Sequence, residues 1–186
     1  MADQGEEGVL SPFLRARRFS AASPFLRGKI LDVGCGSGDL CGRFSAGGYL
    51  GVDRDEESLA LARLRHPEHI FQAQLPPSEA KFDTIVALAV IEHVPDPVVF
   101  LGDLAMRLRE DSASCIVLTT PHPSMEIVHT LGAKIGLFSN HASEEHEDLL
   151  DKRAMVECGR VAGLRVQHYR RFLLGANQLC VFCHMP

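Results

Sequence analysis

The 186-residue chain has the length of one domain and enough residues to bury a substantial core. Its 46% hydrophobic and 23% charged content is that of a water-soluble globular protein, and a net charge of −5 gives no general attraction to nucleic acid or anionic membrane. No apolar run approaches the ~18 residues of a membrane span, and the acidic start MADQGEEGVL is unlike a secretory signal. The expectation is a single cytoplasmic domain whose partner is a small molecule rather than nucleic acid or membrane.

Residues 1–10 are expected to be a flexible tail. From 11 to 27 the stretch SPFLRARRFSAASPFLR predicts one or two short helices, each opened by a Ser-Pro pair. Leu14, Phe19 and Phe25 would face a sheet, and Arg15, Arg17 and Arg18 would face outward. This helical cover reads either as one wall of a substrate site or as a sheet cover with a solvated basic face.

Ile30, Leu31 and Val33 then predict a buried strand interrupted by Asp32. Gly34, Gly36 and Gly38 follow at alternate positions, a tight turn through which backbone approaches a ligand closely. Leu40 and Phe44 predict a short helix ended by Gly47 and Gly48, and Tyr49, Leu50 and Val52 a second strand closed by Asp53. A strand, turn and strand with an acid at the end holds a nucleoside. A dinucleotide loop would place its third glycine at 39 for packing beside a pyrophosphate. Asp39 stands there instead, which disfavours a nicotinamide cofactor.

With Asp32, Gly34, Gly36 and Gly38 matching D-x-G-x-G-x-G, the chain resembles the class I S-adenosylmethionine-dependent methyltransferases, of the small-molecule, type 11-like kind. The resemblance implies S-adenosylmethionine as cofactor and Asp53 as the acid holding both ribose hydroxyls. Asp32 would orient the loop amides or face the cofactor's ammonium group. Cys35 and Arg54 adjoin these positions, and Leu88 and Ala89 follow a strand end on the same crevice. Relatives often bind adenine through an acid after the third strand; here Gln72 or Gln74 is the counterpart.

Farther along, Asp55 predicts a helix start closing near His66-Pro67, and Ile70–Gln74 and Phe82–Leu88 predict strands. A helix from Asp96-Pro97 carries Leu101, Leu104, Ala105 and Leu108 on one face. Ala113–Thr120 predicts the fifth strand, and residues 121–143 a substrate lid. Glu144–Ala162 reads as a helix with Ala154, Cys158, Val161 and Ala162 inward. Leu164–Phe172 and Gln178–His184 close the chain as a hairpin turning at Gly175-Ala176-Asn177. The fold class expected is a three-layer α/β/α Rossmann-like sheet, mostly parallel with an antiparallel C-terminal hairpin.

Ile91-Glu92-His93-Val94 resembles the E-H-V/I stretch of small-molecule methyltransferases. His93 is the candidate general base for a hydroxyl acceptor, since its ordinary pKa lies near 6.5; Glu92 and His93 could equally brace the loop. Ubiquinone-type O-methyltransferases carry a fuller E-x-x-E-H motif linked to a divalent metal. Ala89 occupies its first position here, so no metal is expected. His141 and His146, five apart among acids, fit a solvated helix start better than a metal site. Cys180-Val-Phe-Cys183-His184 matches a haem-attachment pattern, but residues three apart on a strand point to opposite faces, and the six cysteines read as reduced core residues. The function expected is methyl transfer to a small-molecule acceptor, with a non-catalytic cofactor-binding module as the alternative.

Overall fold

The computed structural model describes residues 11–124 and 149–186. The 1–10 tail, most of the expected lid, His129, His141, His146 and the Glu144 helix start lie outside the described residues.

The apolar runs become the strands β1 (Ile30–Val33), β2 (Tyr49–Val52), β3 (Ile70–Gln72), β4 (Thr84–Leu88), β5 (Cys115–Pro121), β6 (Leu164–Phe172) and β7 (Asn177–His184). They join in one sheet ordered β3-β2-β1-β4-β5-β7-β6. β1 to β5 run parallel, whereas β7 is antiparallel to both β5 and β6. The chain winds outward from β1 to β3 and then returns to place β4 on the other side of β1. That reversal leaves a crevice at the carboxyl ends of β1 and β4, where loops diverge to either side.

Helices α1 (Ser11–Ala22), α2 (Glu56–Arg65), α3 (Pro97–Ala105) and α4 (Lys152–Val161) cover the sheet. On one face Leu31, Ile85, Ile116 and Phe182 pack with Leu101 and Leu104 of α3 and Met155 of α4. On the other, Ile30, Tyr49 and Val86 meet Leu59 and Ala62 of α2, while Val117, Leu179 and Val181 meet Ala22 of α1. Each such aliphatic or aromatic side chain removed from water contributes about 1.5–3 kcal/mol. Asp55, Asp96 and Asp151 cap α2, α3 and α4, each accepting from backbone N–H groups of the first turn, which supplies partners the helix itself cannot.

Several expected elements differ in extent. The short helix after the glycine loop is instead a series of turns and a 3-10 turn at Cys41–Arg43. Gly38 and Gly42 leave too few favourable residues to nucleate an α-helix, though Leu40 and Cys41 are still buried. The last helix begins at Lys152, and Met155 and Gly159 are its buried positions. Ala154, Cys158 and Ala162 are half-buried, and Val161 is 56% exposed. Gly159 is buried because Phe182 lies where its Cβ would stand, 2.5 Å away. The hairpin turn is displaced: Phe172 pairs with Asn177, so residues 173–176 form it, with Leu173 and Leu174 at φ +52° and +54°.

Candidate functional site

Among the described residues, two cavities at the crevice share Gly34. One, about 340 Å³, is lined by Arg15, Arg18, Asp32, Gly36, Asp39 and Leu88, among others. The other, about 440 Å³, is lined by Asp53, Arg54, Gln74, Leu75, Val90 and His93, among others. The first is polar and carries charges of both signs; the second places Asp53, Asp103, Arg54 and His93 among apolar side chains.

Hydrogen bonds between neighbouring strand ends set the glycine loop. Gly34 N and Cys35 N both donate to Val52 O, at 2.8 and 3.1 Å. Gly34 has φ +75° and a Cβ there would strike the Val90 side chain, so glycine is required on both counts. Around Gly36 no atom lies within 4 Å of where a Cβ would be, leaving its surface open to a ligand. Asp53, half-buried, accepts from Gly36 N at 2.7 Å and Asp55 N at 3.0 Å. One carboxylate thus ties the loop after β1 to the turn after β2.

Asp32 is only 4% exposed, and its Oδ2 accepts the Tyr49 hydroxyl at 2.6 Å. Burial pushes the Asp32 carboxyl up to about 7, against the Tyr49 hydrogen bond and with help from the negative Asp53. Cys35 also lines the first cavity, but burial and the charges of Asp32 and Asp53 push its thiol far up. It is a packing group rather than a nucleophile.

Helix α1 alters the picture drawn from sequence. Arg17 is exposed as expected, but Arg15 and Arg18 turn into the first cavity. Arg15 is ion-paired with Asp39, and Arg18 Nε donates to Asn177 Oδ1 at 3.3 Å. Burial holds Arg18 below the usual guanidinium range, opposed by the negative Glu92. The outward expectation failed because the basic run lies over acids 14 or more positions away in sequence, a long-range pairing that helical periodicity does not carry. Tyr49 and Asn177 were missed for the same reason.

After β4, Leu88 borders the first cavity and Ala89 takes φ +60°, with its N–H donating to Thr119 O at 2.7 Å. A non-glycine residue held there stores strain of order 1–3 kcal/mol, a cost common at ligand sites. Ile91–His93 form a 3-10 turn. Glu92 is buried, its Oε2 has no hydrogen-bond partner among the described residues, and burial raises its pKa. His93 is exposed and faces the second cavity with Gly34 and Asp53. Of the two glutamines, Gln72 spends its amide on Gln74 O at 2.5 Å, while Gln74 lines the cavity. Gly38 lies outside both linings, packed under the Phe71 ring. His122 pairs with Ser124 Oγ at 2.8 Å, and burial and Arg171 lower its pKa.

No cluster of three His, Cys, Asp or Glu that could hold a metal ion occurs among the described residues, and none of their helices is long and apolar enough to cross a membrane. The six cysteines are free; Cys180 and Cys183 are both buried on β7, whose two faces are covered.

A family model described as a methyltransferase domain matches residues 9–169. Ubiquinone biosynthesis O-methyltransferase of Aeromonas salmonicida is 26% identical over 170 residues, covering 80% of this chain and 71% of that enzyme. Its namesake from Paramagnetospirillum magneticum is 37% identical over 101 residues, covering 48% of this chain but only 40% of the enzyme. Among solved structures, magnesium protoporphyrin IX methyltransferase from Synechocystis PCC 6803 with bound SAH superposes with a TM-score of 0.64, at 15% identity, over 97% of this chain and 90% of that one.

Proposed function

The chain belongs to the methyltransferase domain family and is an S-adenosylmethionine-dependent methyltransferase, and we propose that it methylates a hydroxyl of a small molecule, with the cofactor lying across Gly34 between the two cavities. The observation that carries this reading is the pair of acids, Asp32 and Asp53, one in each cavity.

In this reading Asp53 holds the ribose hydroxyls, a bidentate contact of charged strength, while Arg54, Gln74, Leu75 and Val90 enclose the adenine. Leu88 borders the amino-acid cavity, and the strained Ala89 beside it sets the course of the loop after β4. The amino-acid arm enters the first cavity, where Asp32 meets the ammonium and Arg18 the carboxylate. Charges of both signs in one cavity suit a zwitterion; a pyrophosphate would meet Asp32 and Asp39 instead. Gly34, Cys35, Gly36 and Gly38 shape the backbone over which the ligand passes.

When bound, the cofactor supplies an electrophilic methyl carbon, and transfer to the acceptor oxygen leaves S-adenosylhomocysteine. The chain's part is alignment and exclusion of water, for which positioning alone can contribute ~7–11 kcal/mol. His93 is proposed as the base that takes the hydroxyl proton. A hydroxyl acceptor follows the relatives, which are named O-methyltransferases. The test is titration with S-adenosylhomocysteine followed by turnover on matched phenols, amines and carboxylic acids. Binding with methylation of phenols alone supports the reading; methylation only of amines overturns the oxygen acceptor, and absence of binding overturns the cofactor assignment.

A further inference from the structure

We infer that Tyr49 is a positioning residue for the cofactor, its hydroxyl holding Asp32 aimed at the ammonium group of S-adenosylmethionine. The inference rests on the reading of Asp32 given above and extends it to a residue that touches no ligand.

The geometry begins with strand register. β1 and β2 pair in parallel with Ile30 opposite Tyr49 and Asp32 opposite Gly51, so Tyr49 and Asp32 stand on one face of the sheet, one step apart along adjacent strands. The Tyr49 hydroxyl crosses that step and donates to Asp32 Oδ2 at 2.6 Å. Asp32 itself lines the first cavity. Gly51 keeps the corner clear: a Cβ there would meet Phe71 at 2.6 Å and Cys35 Sγ at 2.8 Å.

The phenol ring is itself fixed. Phe44 stacks on it at 5.8 Å, His69 meets it edge-on at 5.5 Å, and Phe71 approaches at 6.0 Å. Tyr49 is 2% exposed. A buried tyrosine in an aromatic cage has one place for its hydroxyl, so the carboxylate it holds has one orientation.

The bond also bears on charge. Asp32 is buried beside the negative Asp53, both of which favour its neutral form, and the Tyr49 hydroxyl opposes them. The other titratable groups facing the pair are Cys35 and Cys41 from the loop after β1, His69 before β3, and Arg15, Arg18 and Asp39 at the cavity. A neutral Asp32 would give an ammonium group little attraction. Tyr49 therefore keeps the acid aimed and lowers the pH at which it ionises.

The test is calorimetric titration with S-adenosylhomocysteine from pH 5.5 to 8.5 in the parent, Tyr49→Phe and Asp32→Asn. In the parent, affinity should hold above neutral pH and fall about tenfold per unit below the Asp32 midpoint near 7. Tyr49→Phe should move that midpoint up by about one unit or more, with affinities converging at the alkaline end. An unmoved midpoint, or a loss of equal size at every pH, overturns the role of Tyr49. Asp32→Asn should bind weakly at all pH with no acidic limb. If it binds like the parent, the assignment of Asp32 fails, an outcome distinct from failure of Tyr49 alone. Methylthioadenosine, which lacks the amino-acid arm, should show no limb in any of the three; an identical limb and shift would trace them to another group and overturn the proposal. The chain has two tyrosines, so fluorotyrosine incorporated into a Tyr169→Phe background labels Tyr49 alone. Its more acidic hydroxyl donates more strongly and should lower the midpoint. An upward or absent shift counts against the proposal even if Tyr49→Phe does not fold.

Discussion

Replacing Asp53 by alanine should weaken cofactor binding and loosen the apo protein together. The carboxylate accepts two backbone N–H groups, from Gly36 at 2.7 Å and Asp55 at 3.0 Å. Hydrogen bonds to a charged acceptor are worth about 1.5–3 kcal/mol when buried, and partial exposure reduces that to roughly 1 kcal/mol each. Loss of both costs about 2 kcal/mol, a drop in Tm of about 4–8 °C for a chain of this size. The ribose contact adds about 1.5–3 kcal/mol to the binding deficit, a ~10–150-fold rise in Kd for S-adenosylhomocysteine. Scanning calorimetry and isothermal titration read the two effects separately. Asp53→Asn keeps one acceptor oxygen for one of the two N–H groups and should recover at most about half of the Tm loss while binding stays weak. A lowered Tm with Kd within twofold of the parent would show that Asp53 serves the loop alone, and the ribose assignment would be wrong.

Three further expectations concern the same crevice. Gly34→Ala forces a Cβ into Val90 at φ +75° and should destabilise by about 2–3 kcal/mol while abolishing detectable cofactor binding; a normal urea midpoint would contradict the packing argument. His93→Ala should slow turnover on a hydroxyl acceptor by roughly a hundredfold with cofactor Kd unchanged, and a near-normal rate would retire His93 as the base. The folded pKa of Glu92 is raised above its ordinary 4.5 by burial, so the stability linked to its neutral form is fully present below pH 4.5 and lost as pH rises through the folded value. Glu92→Gln should accordingly gain stability relative to the parent as pH rises and lose that advantage in acid; a constant difference across urea melts at pH 4 and 7.5 would refute the burial argument.

The pattern of the sequence determined most of the fold. Ile30–Val33, Tyr49–Val52 and Thr84–Leu88 are short apolar runs that can be satisfied only inside a sheet, and Asp55 and Asp96 fix helix starts because capping is local chemistry. The acids Asp32 and Asp53 and the glycines at 34 and 36 were equally legible, because tight turns and strand ends are written within a few residues. Only tertiary structure decided which charges face one another. Arg15 meets Asp39 across 24 positions and Arg18 meets Asn177 across 159, distances over which no periodicity operates. Tyr49 looked like one more strand hydrophobe until parallel register set it beside Asp32. Ala89 likewise carries no sign in its side chain of the φ +60° imposed on it, because that strain comes from the β5 carbonyl and the turn around it. Local propensity and burial period act along the chain, whereas electrostatic pairing and enforced backbone strain act through space and depend on the completed sheet.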